Sequence, residues 1–298
     1  MRKLLIISNY NYAAFVGECL RSALKQTLRF DRIVFIDDGS TDNSVELVQA
    51  EFSGFAELLV ISKANAGQLS CFNAAAPYVS ADDLVFFMDA DDIYPQNYVE
   101  NVLSEHQRGD DFLFCHAKTF APARHEVAPG NCRISNQENV LISSSSALTR
   151  FTRCWIGSPT SALVISGRLF KEIFPYPYAA DWITRADDVV IFAASLLGYR
   201  KKFLRSMAIG YRQHGNNAFL DIPIGKAEVV ARELKLEKLF GYYCDQRHIS
   251  RTATLPAVLD ERALISADLH GQFYIPRKWR VVLYPLVKLL RVLKRLWA

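Results

Sequence analysis

The sequence has no apolar run long enough to cross a membrane and no closely spaced pair of cysteines. No stretch reaches the roughly 18 consecutive apolar residues that a transmembrane helix needs. The apolar segment near the start, Leu4–Ile7, is too short for a signal peptide. The six cysteines lack any Cys-x-x-Cys spacing, which argues against a zinc site or disulfide framework and favours reduced thiols. These absences predict a protein on the cytoplasmic side of the membrane.

Acidic residues are missing from one end of the chain. Residues 271–298 carry seven Lys or Arg and no Asp or Glu, whereas the remainder has 28 basic residues against 31 acidic ones. The basic charge is therefore confined to the tail, and the composition gives no support for a nucleic-acid partner. Half of the 298 residues are apolar, which is typical of a folded chain with a substantial core.

Strand patterns and helix patterns alternate along the first 115 residues. This alternation predicts an α/β fold with an open, mostly parallel, Rossmann-like sheet and helices on both of its faces. The predicted strands are Lys3–Ile7, Arg32–Ile36, Leu58–Ile61, Leu84–Met88 and Phe112–His116, and the predicted helices are Ala13–Leu24, Asp42–Glu51 and Leu69–Tyr78.

Beyond residue 116 the pattern is less regular. The segment 117–160, which includes the serine run Ser143–Ser146, predicts a loop or lid. The stretch between Tyr243 and Pro276 is polar and gives no clear prediction. The later predicted elements are strands near Ala162–Ile165 and Met207–Gly210 and helices over Asp187–Leu197 and Lys226–Tyr243.

Three carboxylates follow the most apolar of the predicted strands. Leu84–Met88 has no polar residue, as expected of a parallel strand covered on both faces, and Asp89, Asp91 and Asp92 come after it. Ligands of such sheets bind at the carboxyl ends of the strands. Three acids crowded there repel one another unless a cation neutralises them, and oxygen ligands favour Mg²⁺ or Mn²⁺. The alternative is a turn or helix cap built from Asp residues.

The second predicted strand also ends in acids, Asp37 and Asp38. A carboxylate at this edge can accept a hydrogen bond from a nucleotide base or ribose. Asp42, further along, is better explained as a helix-capping acid. Asn65–Gln68 adds a glycine-containing turn after the third strand.

Taken together, these segments resemble the inverting glycosyltransferases of family 2, which have the GT-A fold. The resemblance is strong over residues 3–100 and weaker to about residue 220. The matching segments are Ile6–Asn11, Val34–Asp42, Asn65–Gly67 with Asn73, and Phe87–Asp92.

The resemblance implies a nucleotide-sugar donor bound at the first strands of the sheet. Asp38 would contact the base, Asp89 would lie near the ribose, and Asp91 would hold the Mn²⁺ or Mg²⁺ ion that bridges the diphosphate. The further residues expected in donor binding are Ser8, Tyr10, Asp37, Asn65, Gly67 and Arg212.

An inverting transfer also needs a general base, which takes a proton from the acceptor hydroxyl. The family shows an acidic pair before an amphipathic helix, and here that pair is Asp187 and Asp188. Counting back from Gly198 favours Asp187, whereas matching the acidic pair favours Asp188. Either residue could instead cap the helix.

Two further segments match the family and concern the diphosphate and the acceptor. In Tyr211–Asn217, the resemblance implies that His214 reaches the metal or diphosphate and that Arg212 neutralises phosphate charge. Trp155 and Asp92 are expected on the acceptor side, although an isolated Trp is as often a core residue. The Gln-x-x-Arg-Trp motif of processive synthases is absent, which favours a single addition.

The resemblance suggests three consecutive parts. Residues 1–115 would be the nucleotide-sugar-binding half, 116–222 the acceptor-binding and catalytic-base half, and 223–298 a helical extension. The extension ends in an amphipathic segment with a basic face, which Pro285 would kink or divide. Its apolar stripe consists of Trp279, Leu283, Leu286, Leu290, Leu293 and Trp297. We expect this segment to bind the membrane surface, and the alternative is packing on the catalytic domain or a partner subunit.

The sequence therefore predicts a metal-dependent, inverting glycosyltransferase peripherally associated with the cytoplasmic membrane. The donor would be a UDP- or dTDP-sugar, and the acceptor a saccharide or lipid-linked hydroxyl in cell-surface polysaccharide or glycolipid synthesis. The alternatives are a catalytically degenerate nucleotide-sugar-binding module and a sugar nucleotidyltransferase. The latter should have a Gly-rich basic loop after the first strand, where this chain has Ser8–Asn11.

Overall fold

The computed structural model describes residues 1–120, 131–214, 226–265, 269 and 272–296, with the side chains of 226 and 288–296 left out. The strands are β1 (Lys3–Asn9), β2 (Arg32–Asp37), β3 (Leu58–Ser62), β4 (Leu84–Asp89), β5 (Phe112–Phe120), β6 (Val140–Ile142), β7 (Trp155–Ile156), β8 (Leu163–Ser166), β9 (Lys201–Arg212) and β10 (Phe273–Tyr274). The α-helices are α1 (Ala13–Leu24), α2 (Ser44–Phe52), α3 (Gln68–Ala75), α4 (Tyr98–Glu105), α5 (Ser146–Thr152), α6 (Gly167–Ile173), α7 (Ala186–Leu196), α8 (Lys226–Gln246), α9 (Leu255–Leu264) and α10 (Arg277–Leu296).

Residues 1–139, 158–187 and 203–222 form a first compact unit around the main sheet. Seven of the eight strands of that sheet follow the order β3-β2-β1-β4-β8-β5-β9. β1 pairs in parallel with β2 and β4, and β2 pairs in parallel with β3, whereas β8 runs antiparallel to β4 and β5. The predicted mostly parallel sheet is therefore confirmed.

Alternate residues of β4 bury their side chains on opposite faces of this sheet. The ring of Phe86 lies 5.2 Å from that of Phe30 and 6.1 Å from that of Tyr98 on α4. The ring of Phe87 lies 4.8 Å from that of Phe72 on α3 and 6.1 Å from that of Phe170 on α6. Each fully buried Phe contributes about 2 kcal/mol to folding. Helices cover both faces, as predicted.

The register of the parallel strands brings their carboxyl ends to one edge. Asn9 of β1 lies opposite Asp37 of β2, and Ser8 of β1 lies opposite Asp89 of β4. The polar residues that follow these three strands are therefore neighbours, although they are far apart in the sequence.

Residues 140–157, 188–202 and 223–298 form a second compact unit. Each unit draws on several segments of the chain, and the division into three consecutive parts stays a prediction. Within the second unit, α9 packs against both α5 and α10, and β7 pairs antiparallel with β10. All six cysteines of the chain are buried and free of disulfides.

The prediction of a loop over 117–160 is wrong where β6, α5 and β7 form, and α9 was not predicted at all. The start of α5 is stabilised by a residue distant in sequence. Glu261 on α9 accepts hydrogen bonds from the Leu148 amide at 2.7 Å and from the Ser144 hydroxyl at 2.6 Å. Ser145 occupies the N-cap position of α5, but its side chain makes no capping hydrogen bond there, and the Glu261 carboxylate satisfies the Leu148 amide instead.

Helix α10 is continuous through Pro285 rather than divided there. Leu283 and Val287 are buried, and the ring of Trp279 lies 4.7 Å from that of Phe151 in the same unit. The first turns of the predicted apolar stripe thus pack inside the second unit. The side chains of Leu290 and Leu293, and the whole of Trp297, lie outside the described residues. Among the helices described, none is long and apolar enough to cross a membrane.

Candidate active site

The end of β2 is held together by hydrogen bonds to Asp37. Its carboxylate, 2% exposed, accepts from the Asn9 side-chain amide at 2.7 Å and from the Ser40 backbone amide at 2.9 Å. The intervening Gly39 has φ +74°, and a Cβ there would lie 2.7 Å from the backbone nitrogen of Asn65. The turn after β2 therefore requires glycine and is organised by Asp37.

The neighbouring Asp38 is buried and holds the turn that follows β3. It accepts hydrogen bonds from the backbone amides of Ala66 at 3.0 Å and Gly67 at 2.7 Å, and it forms an ion pair with Lys63. Asn65, in the same turn, is exposed. Asp37 and Asp38, the two acids at the end of β2 that were predicted to bind the nucleotide-sugar donor, thus each accept several hydrogen bonds from the protein itself.

Asp42 serves as the capping acid that the sequence predicts. Its carboxylate accepts hydrogen bonds from the backbone amide of Ala13 at the first turn of α1, at 2.9 Å, and from that of Ser44 at the start of α2, at 3.0 Å. Partial burial would raise the pKa of Asp42, but the hydrogen bonds from Ser44 and Ala13 outweigh it and lower the pKa.

The acids that follow β4 form a cluster. One oxygen from each of Asp89, Asp91 and Asp92 lies within 4.8 Å of the others. Burial, together with the charges of Asp91 and Asp187, raises the pKa of Asp89 to about 8, and burial and the other two acids raise that of Asp92 well above its usual range. A divalent cation would relieve this repulsion, so the donor set fits such an ion.

The two predicted metal ligands are in direct contact. Nε2 of His214 lies 2.8 Å from Oδ2 of Asp91, and the imidazole ring stacks on Phe15 with centroids 4.7 Å apart. Both side chains therefore offer ligand atoms beside the acid cluster, where they could hold a Mg²⁺ or Mn²⁺ ion. Gly215–Asn217 of the predicted motif lie outside the described residues.

Asp92 is 1% exposed and joins three elements of the first unit. One oxygen accepts from the Ser161 hydroxyl at 2.5 Å and the other from the backbone amide of Arg212 at 2.9 Å. Its predicted contact with the acceptor stays a prediction. The guanidinium of Arg212 donates to the backbone oxygen of Asp91 at 2.7 Å and to Glu18 at 2.6 Å.

The residues that end β1 lie beside Asp89. The Ser8 hydroxyl donates a hydrogen bond of 3.1 Å to Asp89, whereas Tyr10, two residues on, is 45% exposed. Gln68, at the start of α3, donates a shorter hydrogen bond, of 2.6 Å, to the same carboxylate oxygen. The sequence did not single out Gln68, although its position directly after Gly67 was the available indication.

The two candidate bases have different surroundings. Asp187 belongs to the first unit, is half-buried, and its charge contributes to the raised pKa of Asp89. Asp188 belongs to the second unit, is fully buried, and forms an ion pair of 3.1 Å with Arg232 on α8. Trp155, the predicted sugar platform, is half-buried in the second unit, where it lies opposite Tyr274 in the β7–β10 pair.

The order of strands, turns and acids matches a known family. The family model "Glycosyl transferase family 2" matches residues 4–165, which is more than half of the chain. The chain belongs to this family. The protein is therefore a glycosyltransferase, which moves a sugar from a nucleotide-sugar donor, and the sheet edge described above lies within the matched region.

Relatives of this glycosyltransferase differ in length. It is 28% identical over 238 residues to an uncharacterised glycosyltransferase of Nostoc sp., which covers 78% of this chain and 71% of the relative. It is 29% identical over 106 residues to glycosyltransferase GlyG of Streptococcus pneumoniae, covering 36% and 35% of the two chains. It is 30% identical over 135 residues to the chondroitin synthase of Pasteurella multocida, covering 45% of this chain and only 13% of that enzyme.

Solved structures show that the glycosyltransferase has the GT-A fold. S. aureus TarS 1-349 in complex with UDP-GlcNAc superposes with a TM-score of 0.58 at 16% identity, covering 91% of this chain and 72% of TarS. The mannosyltransferase PcManGT of Pyrobaculum calidifontis, in complex with GDP-Man and Mn²⁺, superposes with a TM-score of 0.56 at 17% identity, covering 91% and 71%.

Proposed function

We propose that this glycosyltransferase is metal-dependent and inverting. It adds one sugar from a UDP- or dTDP-sugar to a hydroxyl of a saccharide or lipid-linked acceptor, in the synthesis of cell-surface polysaccharide or glycolipid. Two similar structures support a nucleotide-sugar donor, since TarS was solved in complex with UDP-GlcNAc and PcManGT in complex with GDP-Man and Mn²⁺. The name of a relative, chondroitin synthase, supports a saccharide acceptor.

The observation that carries the proposal is the cluster at the end of β4. The predicted metal ligands Asp91 and His214 are in contact at 2.8 Å, and Asp187 lies close enough to Asp89 to raise its pKa. An inverting transfer needs stabilisation of the charged leaving group on one side of the reacting carbon and a proton acceptor on the other. In this proposal Asp91 and His214 serve the first requirement through a bound cation, and Asp187 serves the second.

The donor is proposed to lie along the edge formed by the ends of β1, β2 and β4. Asp89 would accept a hydrogen bond from the ribose, with its orientation fixed by Ser8. Exposed Tyr10 and Asn65 would contact the nucleotide, and Asp37, Asp38 and Gly67 would shape the base pocket through the turns that they hold.

In the proposed reaction, the acceptor oxygen attacks the anomeric carbon from the face opposite the diphosphate. As that bond forms, Asp187 takes the hydroxyl proton, the bond between the anomeric carbon and the diphosphate oxygen breaks, and nucleoside diphosphate leaves. General-base catalysis of this kind contributes about 10²- to 10⁴-fold. Asp91 and His214 would hold a divalent cation, which supplies neutralisation of the leaving diphosphate.

Asp187 is favoured over Asp188 because of its surroundings. A base must reach the acceptor hydroxyl, and Asp187 is half-buried, whereas Asp188 has no exposed surface and is bonded to Arg232. Asp188 would then hold the start of α7 through this ion pair.

The test is release of nucleoside diphosphate from a panel of nucleotide sugars with Mn²⁺ and candidate saccharide acceptors. The variants are Asp91→Ala, Asp187→Asn and Asp188→Asn. Asp82→Asn is the matched control, because this exposed acid precedes β4 at the opposite end of the strand. We expect Asp91→Ala to abolish release and Asp187→Asn to reduce turnover at least about a hundredfold while donor binding by calorimetry is retained.

Two outcomes would contradict this proposal. No release from any donor by the wild type, with or without acceptor, would favour a binding module. Loss of turnover with retained donor binding in Asp188→Asn but not in Asp187→Asn would assign the base to Asp188 and require its bond to Arg232 to break in the reacting state.

We also propose that α10 binds an anionic membrane surface with the face opposite its buried stripe. Val281 and Tyr284 are about 70% exposed on this face, and Arg277 and Lys278 are exposed beside them. Each basic residue near an anionic leaflet contributes about 1 kcal/mol. The proposed partner surface thus differs from the predicted stripe, of which Leu283 is buried and Trp279 contacts Phe151.

Flotation with vesicles tests the membrane proposal. The protein should float with vesicles that contain phosphatidylglycerol and not with pure phosphatidylcholine vesicles. Val281→Ser combined with Tyr284→Ser should weaken flotation, whereas Val230→Ser on exposed α8 should not. A role for this face would be contradicted if the wild type and all variants floated equally, or if none of them floated with either kind of vesicle.

A further inference from the structure

The turn after β3 and the segment before α7 are bonded to each other within the first unit. The Gln68 amide donates a hydrogen bond of 2.9 Å to the backbone oxygen of Ile183. Gly67 has φ +88°, and a Cβ at this position would lie 2.4 Å from the Cα of Ile183. Only glycine allows so close an approach of the two backbones. The segment that leads to Asp187 is therefore seated directly on this turn.

The side chain of Gln68 extends this contact in two directions. Its Nε2 donates to Oδ1 of Asp89 at 2.6 Å, and its Oε1 accepts from the backbone amide of Ala186 at 3.2 Å. Ala186 is the first residue of α7, where backbone amides have no partner within the helix. The side-chain amide of Gln68 therefore links Asp89, which is proposed to bind the nucleotide-sugar donor, to the start of α7, where Asp187 lies.

We propose that Gln68 is a positioning residue that sets the geometry between Asp89 and Asp187. This inference rests on the proposed function, because it concerns how the proposed base is oriented towards the bound donor. The position requires a donor and an acceptor on one short planar group, which Gln supplies and Glu, Met and Lys do not. A shift of about 1 Å between base and donor costs about a hundredfold in rate.

A structural role would have a different effect from a positioning role. The Gly67 contact and the backbone hydrogen bond from Gln68 to Ile183 remain when the side chain is replaced. The Gln68 side chain is itself only partly buried. We therefore expect its removal to leave the fold intact and to loosen the start of α7, with the effect on kcat rather than on donor affinity or thermal stability.

The experiment compares Gln68→Met, which has similar length and neither bond, with Gln68→Glu, which keeps only the acceptor for Ala186. Gln49→Met, an exposed glutamine on α2, is the matched control. We expect kcat to fall about 10- to 100-fold in Gln68→Met, with the donor Kd changed less than about threefold and Tm within about 2 °C. Gln68→Glu should lose at least as much, because its carboxylate faces that of Asp89.

A double-mutant cycle with Asp187→Asn separates positioning from an independent effect. If Gln68 acts through the base, adding Gln68→Met to Asp187→Asn should reduce kcat less than about twofold further. The proposal would be overturned if the kcat losses of the two single variants multiplied in the double variant. It would also be overturned if kcat were unchanged in Gln68→Met, or if the loss of kcat came with a large fall in Tm.

Amide hydrogen exchange gives a readout that does not depend on turnover. In Gln68→Met the peptides that cover residues 182–190 should exchange faster than in the wild type and in Gln49→Met. If exchange over residues 182–190 were unchanged in Gln68→Met, the proposed link from Gln68 to the start of α7 would be wrong. If the wild type turns over no donor while exchange still responds to Gln68→Met, the proposed function fails, and the role in positioning a base fails with it.

Discussion

The ends of β2 and β4 each carry buried carboxylates, but the two groups are satisfied in different ways. At the end of β2, Asp37 and Asp38 accept hydrogen bonds from backbone amides, and Asp38 also pairs with Lys63. At the end of β4, burial and the charges of Asp91 and Asp187 raise the pKa of Asp89 to about 8. The contacts of the first group favour the folded state, whereas the mutual repulsion of the second group opposes it.

This difference between the two groups of acids is not visible in the sequence. In the sequence, both groups are acids that follow an apolar strand and precede a turn. The partners that distinguish them, such as Lys63 and the amide of Gly67 for Asp38, come from another turn of the chain. Asp38 therefore has a partner of opposite charge from another turn, whereas the acids after β4 lie close to one another.

The largest change in the free energy of unfolding should come from breaking the contacts of Asp38 at the end of β2. Asp38→Asn leaves Lys63 without its charge partner and weakens two backbone hydrogen bonds. We expect the free energy of unfolding to fall by about 3 kcal/mol, the lower end for a broken buried pair because Lys63 is partly exposed. Urea unfolding of the metal-free protein measures this, with Asp82→Asn as the control. A loss below about 1 kcal/mol would mean that the pair contributes little.

At the end of β4, a substitution is instead expected to raise the free energy of unfolding. Asp91→Asn removes one charge from the cluster and keeps an oxygen near His214, so the metal-free protein should gain between about 1 and 2 kcal/mol. Added Mn²⁺ should raise the Tm of the wild type and leave that of Asp91→Asn nearly unchanged. A loss of stability in Asp91→Asn similar to that in Asp38→Asn would remove the distinction between the two strand ends.

The residues that the sequence predicted were those set by local pattern. Unbroken apolar runs predict the parallel strands, and since the strand ends share an edge, Asp37, Asp38 and Asp89 are expected to lie together. Ser8 is expected beside them only from the family resemblance. The His214–Asp91 contact followed from the family resemblance rather than from spacing.

The residues that the sequence could not predict act through distant partners. Gln68 bonds to Asp89 and Ala186, Glu261 caps α5 from α9, and Arg232 neutralises Asp188 from α8. In each case the polar side chain is unremarkable in its own segment. Only the folded chain determines which distant group it meets, so local periodicity and capping patterns contain no information about it.

Lys201, in the second unit, shows a third way to accommodate a buried ionisable group. Its Nζ is fully buried and donates to the backbone oxygens of Ile156 and Ile191, each at 2.8 Å. Burial lowers its pKa from 10.5 to about 7. Burial therefore favours the neutral amine of Lys201, whereas Asp38 accepts hydrogen bonds from backbone amides and pairs with Lys63.

This difference predicts a pH dependence that Lys201→Met should abolish. Between pH 7 and 10.5 the unfolded chain binds one more proton at this residue than the folded chain, so the free energy of unfolding rises with pH, by up to about 1.4 kcal/mol per unit. Below pH 7 both states are protonated, and the cost of burying the charge is borne in full. Urea unfolding at pH 7.5 and 8.5 should show the wild type gaining about 1 kcal/mol relative to Lys201→Met. Parallel profiles would mean that Lys201 keeps its charge when buried.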